Sequence, residues 1–213
     1  MAEALAPDMT TFPYSSCNIG WVGHSQVGWQ SLNDQYQPIP DAHITLYRKP
    51  GALASKFFEY PELTQALRDN LDLVILWMGG NDINPATSPR VILDDLRHII
   101  TEFNRVRTSV IIMTIEARKY MEGSRHYVAP QLYNKMKNAI NRRLQKDYAG
   151  RVILTGGLTV NESHLNMDGV HLDHVGRGNI ERKIIGAVNN FMLGWREEKN
   201  HPLMFPTNFP VNI

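Results

Sequence analysis

Disulfides are excluded from within this 213-residue chain, because it holds a single cysteine, Cys17. That residue opens an apolar stretch, where a buried structural thiol is expected rather than a nucleophile. Charge of one sign is not in excess either. Lys and Arg number 22 against 21 Asp and Glu, a formal net charge of +1, so nothing in the whole-chain electrostatics draws it to nucleic acid or a membrane surface. Long hydrophobic runs are missing: the apolar stretches are strand-length, and no transmembrane helix is expected. Residues 1–13 lack a basic region followed by an apolar one, so no signal peptide is expected. With one thiol, a reducing, cytoplasmic setting fits. There is no internal repeat and no low-complexity segment.

What is present is the composition of an ordinary globular protein, 43% hydrophobic and 20% charged. Five short runs read as buried strands: 18–23, 43–48, 73–78, 109–115 and 151–155. The third and fourth are almost continuously apolar, as in parallel strands covered on both faces. Helical stripes lie between them. Ser88 and Pro89 form a helix start, N-cap and first turn. Apolar residues then recur at Ile92, Leu96, Ile99, Phe103 and Val106. Leu132, Met136, Ile140 and Leu144 make a second stripe, and Ile180, Ile184, Val188 and Phe191 a third. Strands alternating with helices predict a three-layer, doubly wound α/β sheet of about five parallel strands. One domain is expected over 14–197. An irregular tail is expected over 198–213, which carries Pro202, Pro206 and Pro210.

In such a sheet, functional residues collect beyond the carboxyl ends of the strands. The first run ends in Gly23-His24-Ser25, the second in Lys49-Pro50-Gly51-Ala52, the third in Gly79-Gly80-Asn81-Asp82. Asp168-Gly169-Val170-His171 follows the fifth run, just before the last helix. These residues suit acyl transfer. A serine hydroxyl becomes nucleophilic when an imidazole accepts its proton, and His171 can do that for Ser25. Asp168, three residues earlier, can reach the other ring nitrogen and stabilise the imidazolium. The oxyanion of the tetrahedral intermediate needs fixed donors. Asn81 offers a side-chain amide; Ser25 and Gly51 offer backbone N–H groups, and a glycine at 51 lets substrate approach the backbone.

The ordered set Ser25, Gly51, Asn81 and His171 resembles the four blocks of the SGNH (GDSL-like) hydrolases. Gly79–Asp82 is similar to that family's Gly-x-Asn-Asp block, and Asp168–His171 to its Asp-x-x-His block, with Leu172 and Gly176 also familiar. The resemblance spans nearly the whole chain. It implies a five-stranded sheet in the flavodoxin-like order 2-1-3-4-5, a Ser25–His171–Asp168 triad, an oxyanion hole of Ser25, Gly51 and Asn81, and ester hydrolysis without a cofactor. A small-molecule, lipid or carbohydrate ester is the expected substrate.

The first block departs from the family's Gly-Asp-Ser by carrying His24. This residue is expected to point away from the Ser25 hydroxyl, to pack under the loop, and not to serve as the base. Its imidazole is expected to titrate near neutrality and, when protonated, to disfavour the imidazolium on His171. The alternative is a fold that has kept its shape and lost its chemistry, acting as a binding module. Trp21, Trp29 and Trp77 could then line a binding surface, or else pack in the core. A metal site built from Asp168, His171, Asp173 and His174, joined by His24, is a third reading, opposed by the position of His171 and His174 at a helix entry, where Asp173 would cap or face solvent. Segment 116–130, with Arg118, Lys119, Arg125 and His126, either borders the crevice and favours a polar or anionic ester, or is a solvated charged loop.

Overall fold

The computed structural model describes residues 16–28, 39–119, 128–156 and 162–200. Five strands, β1 (Cys17–Gly23), β2 (Ala42–Arg48), β3 (Leu73–Trp77), β4 (Ser109–Met113) and β5 (Val152–Ile153), form one sheet in the order β2-β1-β3-β4-β5. Every pairing is parallel. The helices are α1 (Pro61–Thr64), α2 (Pro89–Arg105), α3 (Pro130–Asp147) and α4 (His174–Asn200).

The alternation of side chains along a strand divides the core in two. Val74 and Leu76 of β3 pack with Ile92, Leu96, Ile99 and Phe103 of α2 and with Met136, Ile140 and Leu144 of α3. Leu73, Ile75 and Trp77 face the other way, against Ile180, Ile184, Val188 and Met192 of α4. All five β3 residues are buried, and each large apolar side chain so buried contributes about 1.5–3 kcal/mol. Burial on both faces is the physical reason that this strand reads as an unbroken apolar run. Ser88 caps α2 by accepting a hydrogen bond from the Val91 N–H, and Pro89 follows at the first turn.

The helix stripes depart from expectation at their ends. Val106 lies past α2 and is exposed. Tyr133 rather than Leu132 is the fully buried residue at the start of α3, and Met192 rather than Phe191 completes the α4 stripe. The fifth strand is two residues long where five were expected, because it pairs only with Ile112 and Met113 at the sheet edge. Helix α4 continues through Asn200; the rest of the tail expected over 198–213 lies outside the described residues. Cys17 is buried. No helix among the described residues is long and apolar enough to cross a membrane.

The strand order makes β1 and β3 neighbours from which the chain departs in opposite directions. A crevice therefore opens at their carboxyl ends. Gly23 is level with Arg48 on one side and Trp77 on the other. The loops after β1, β2 and β3 consequently leave the sheet side by side.

Candidate active site

Gly23 ends β1 because only a glycine fits there: a Cβ would overlap the Trp77 carbonyl oxygen of β3. The chain then turns sharply, with the Val27 N–H bonded to the His24 carbonyl, and lifts Ser25 to a half-buried position. The last loop comes to meet it. Leu165 and Leu172 form an antiparallel bridge, and between them residues 166–171 make a tight turn with Gly169 at φ 66°. A side chain at 169 would be strained by that φ and would also collide with the Lys119 backbone. The Lys119 N–H donates to the Gly169 carbonyl at 2.7 Å, tying the loop after β4 to this turn.

Within the turn, Asp168 Oδ1 accepts from the N–H groups of Val170 and His171, both at 2.9 Å. Its Oδ2 lies 2.6 Å from His171 Nδ1. Burial would raise the Asp168 carboxyl, but the bond from the His171 ring and those from the two backbone N–H groups outweigh it and hold it below the ordinary carboxylate range. An ionised carboxylate only accepts, so Nδ1 carries the proton. His171 Nε2 is thereby left to accept from the Ser25 hydroxyl, 2.9 Å away. Ser25, His171 and Asp168 are thus brought together in one continuous chain of hydrogen bonds.

Asn81 reaches across to the loop that carries Gly51. Gly79–Asp82 follows β3 with Gly79 in the left-handed region. Asn81 Nδ2 donates to the Ala52 carbonyl at 2.9 Å, next to Gly51. Gly51 itself is exposed at φ 72° with open space beside it. Asp82 is buried and accepts from the N–H groups of Ala54 and Ser55 and from the Ser55 hydroxyl. Two adjacent residues of the third block therefore anchor the second block's loop.

Two groups of residues escaped the sequence reading. Gln26, only 3% exposed, donates through Nε2 to the Val170 carbonyl at 2.6 Å and accepts at Oε1 from the Leu172 N–H at 3.2 Å. It grips the backbone on both sides of His171. A glutamine after the nucleophile carries no signal of this in the sequence. The second group is buried beneath the crevice. Glu116 is fully buried and Arg118 is 8% exposed, which overturns the solvated-loop reading for these two. Both lie just past β4, where the chain passes under the third block before reaching the surface at Lys119. Arg125 and His126 lie outside the described residues, as does Trp29. Trp21 and Trp77 are core residues, stacked with centroids 6.3 Å apart, so they line no surface.

His24 is 1% exposed and lies beneath the loop, its ring centroid 5.5 Å from that of Trp77. Its Nδ1 accepts from the Gln26 N–H at 3.3 Å, so the neutral ring carries its proton on Nε2, which faces Glu116 Oε1 at 3.8 Å. Burial pushes its pKa down from 6.5 to about 4, against the pull of Glu116 and helped by Arg118 and His171. The expectation that it titrates near neutrality is therefore corrected: stripped of water, the imidazole stays neutral. Asp173 Oδ1 accepts from the Gly176 N–H at 2.7 Å and caps α4. Among the described residues no group of three or more His, Cys, Asp and Glu side chains could hold a metal ion.

No family model matches the sequence, and no curated protein matches it. Solved structures do match its shape. A lipase/acylhydrolase from Enterococcus faecalis is 18% identical, with a TM-score of 0.62, over 82% of this chain and 96% of that one. A carbohydrate acetylesterase from Sinorhizobium meliloti is 13% identical, with a TM-score of 0.63, over 82% and 99%. A GDSL-like lipase from Bacteroides thetaiotaomicron is 14% identical, with a TM-score of 0.62, over 82% and 89%. The parallel sheet, its order and these likenesses agree: the chain has the fold of the SGNH, or GDSL-like, hydrolases.

Proposed function

We propose that the protein is a serine esterase whose nucleophile is Ser25. The observation that carries this reading is the relay in which the Ser25 hydroxyl lies 2.9 Å from His171 Nε2 while Asp168 holds Nδ1 at 2.6 Å. Ser25 Oγ attacks the ester carbonyl as His171 takes its proton, and Asp168 stabilises the imidazolium. The oxyanion is held by the backbone N–H groups of Ser25 and Gly51 and by the second Nδ2 hydrogen of Asn81, the first being spent on Ala52. His171 then protonates the departing alcohol, and water, activated by the same ring, releases the acid from Ser25. No cofactor takes part.

The similar folds include proteins named as acting on carbohydrate acetyl esters and as lipases, so the test uses both ends of that range. Wild type and Ser25→Ala are assayed against acetyl, short-acyl and long-acyl esters, and wild type is treated with a serine-directed phosphonate. Turnover that falls by ~10⁴ or more in Ser25→Ala, with phosphonate on Ser25, is expected. A wild type that neither turns over an ester nor takes up the phosphonate overturns the reading in favour of a binding module.

A further inference from the structure

Beneath the crevice lies a buried ion pair that the ester mechanism does not use. Arg118 Nη2 is 2.7 Å from Asn81 Oδ1, to which it donates, and 3.7 Å from Glu116 Oε1. Glu116 is fixed in turn: its Oε2 accepts from Trp77 Nε1 at 3.1 Å, and its carbonyl accepts from the Tyr133 hydroxyl at 3.3 Å. The guanidinium lies over the Tyr133 ring, 5.4 Å from the centroid. Gly80 makes room for it, since a Cβ there would come within 3.0 Å of Nη2. Taking both charges out of water is costly unless they are well paired.

Resting on the esterase reading above, we infer that Arg118, held by Glu116, orients and polarises the Asn81 side-chain amide as the oxyanion donor. The chemistry has two parts. The Asn81 amide meets a donor at Oδ1 and an acceptor, the Ala52 carbonyl, at Nδ2. A flipped amide would set NH₂ against the guanidinium and oxygen against oxygen, so one orientation alone is allowed and the second Nδ2 hydrogen has a fixed direction. A cation at Oδ1 also draws electron density from the amide, which strengthens its N–H donors where little water screens the effect. Glu116 anchors the guanidinium without quenching the bond, because its oxygen is an ångström farther from Nη2 than Asn81 Oδ1 is. Arg118 and Glu116 are positioning residues: they act through Asn81.

The test is a double-mutant cycle on the full chain, with acetyl ester turnover as readout. Arg118→Met keeps the stem and removes charge and donors; Arg118→Lys keeps the charge. In the wild-type background Arg118→Met should lower kcat about tenfold with KM changed less than about twofold, and Arg118→Lys should recover part of the loss. In an Asn81→Ala background, Arg118→Met should change kcat by less than about twofold, since the group it acts through is gone. Equal losses in both backgrounds, or none in the wild-type background, overturn the inference. Where Arg118→Met fails to fold, Glu116→Gln replaces it, with the same expected pattern. A second readout needs no turnover. In nitrogen-15-labelled protein, the Asn81 side-chain amide signal, identified by its loss in Asn81→Ala, should shift strongly in the Arg118 variant. Should Ser25→Ala leave wild-type turnover intact, the esterase reading fails, and this signal still decides whether Arg118 governs Asn81. An unmoved signal overturns that coupling.

Discussion

His24 sits one residue from the proposed nucleophile yet is sealed from solvent, and its effect on the protein is a matter of stability rather than turnover. The folded chain binds its proton near pH 4, the unfolded chain near 6.5. Between those values the unfolded state holds more protons, so stability rises with pH there. The His24 contribution is complete above 6.5 and is lost as pH falls to about 4. The displacement is worth about 3 kcal/mol. Urea melts of wild type and His24→Gln between pH 4 and 7 should show a flatter dependence in the variant. The pH at which activity appears should be the same in both, because a neutral His24 puts no charge beside His171. Gln26 behaves differently. Gln26→Met keeps the shape and removes both bonds to the His171 backbone, so kcat should fall by roughly 10–100-fold while KM stays within about twofold. Asn81→Ala should lose ~10²–10³ in kcat and some stability as well, since the buried Arg118 guanidinium and the Ala52 carbonyl each lose a partner, which steady-state kinetics and denaturant melts together would check.

Among the elements, two glycines carry the joints. Gly23→Ala drives a methyl into β3, and Gly169→Ala drives one into the Lys119 backbone at an unfavourable φ. The first should lower stability by about 3 kcal/mol or more, seen as reduced soluble yield and Tm, because neither β1 nor β3 can move without opening the sheet. The second should spare the sheet and detach the turn that carries Asp168 and His171. Activity should then fall while Tm drops by only a few degrees. The elements themselves were legible wherever periodicity or burial is one-sided or total, as in β1, β3 and α2. Their ends were not: where the sheet edge and the helix tips meet solvent, packing decides between Leu132 and Tyr133, or between Phe191 and Met192, and a repeat of apolar residues cannot. The candidate site was legible as Ser25, Asn81 and Asp168–His171, since the first two follow strands and the third is a turn just before the last helix, in chain order. Gln26, Glu116 and Arg118 were not. A glutamine and a charged pair in a loop ordinarily face water, and their burial follows from contacts made by residues far away in the chain.

At the scale of the whole molecule, α4 runs from the crevice to the opposite end of the sheet. Asp173 caps it beside His171, and at the far end Trp195 Nε1 donates to Asp72 Oδ1 at 3.2 Å while Arg196 Nη2 meets Asp41 at 2.9 Å. Trp195→Ala should therefore lower stability by about 2 kcal/mol, measured by denaturant midpoint, with kcat unchanged in the folded fraction.

The contact between Ser25 and His171 closes a loop of 146 residues. In the order of synthesis, the serine precedes the histidine by 146 residues. The hydroxyl therefore stays without its base until residue 171 has been made, and no ribosome-bound fragment ending before that residue can complete the relay. Closing so long a loop adds little entropic cost beyond that of a shorter one. Uptake of a phosphonate by Ser25 would therefore time the arrival of the His171 turn at the serine, and stay silent before it.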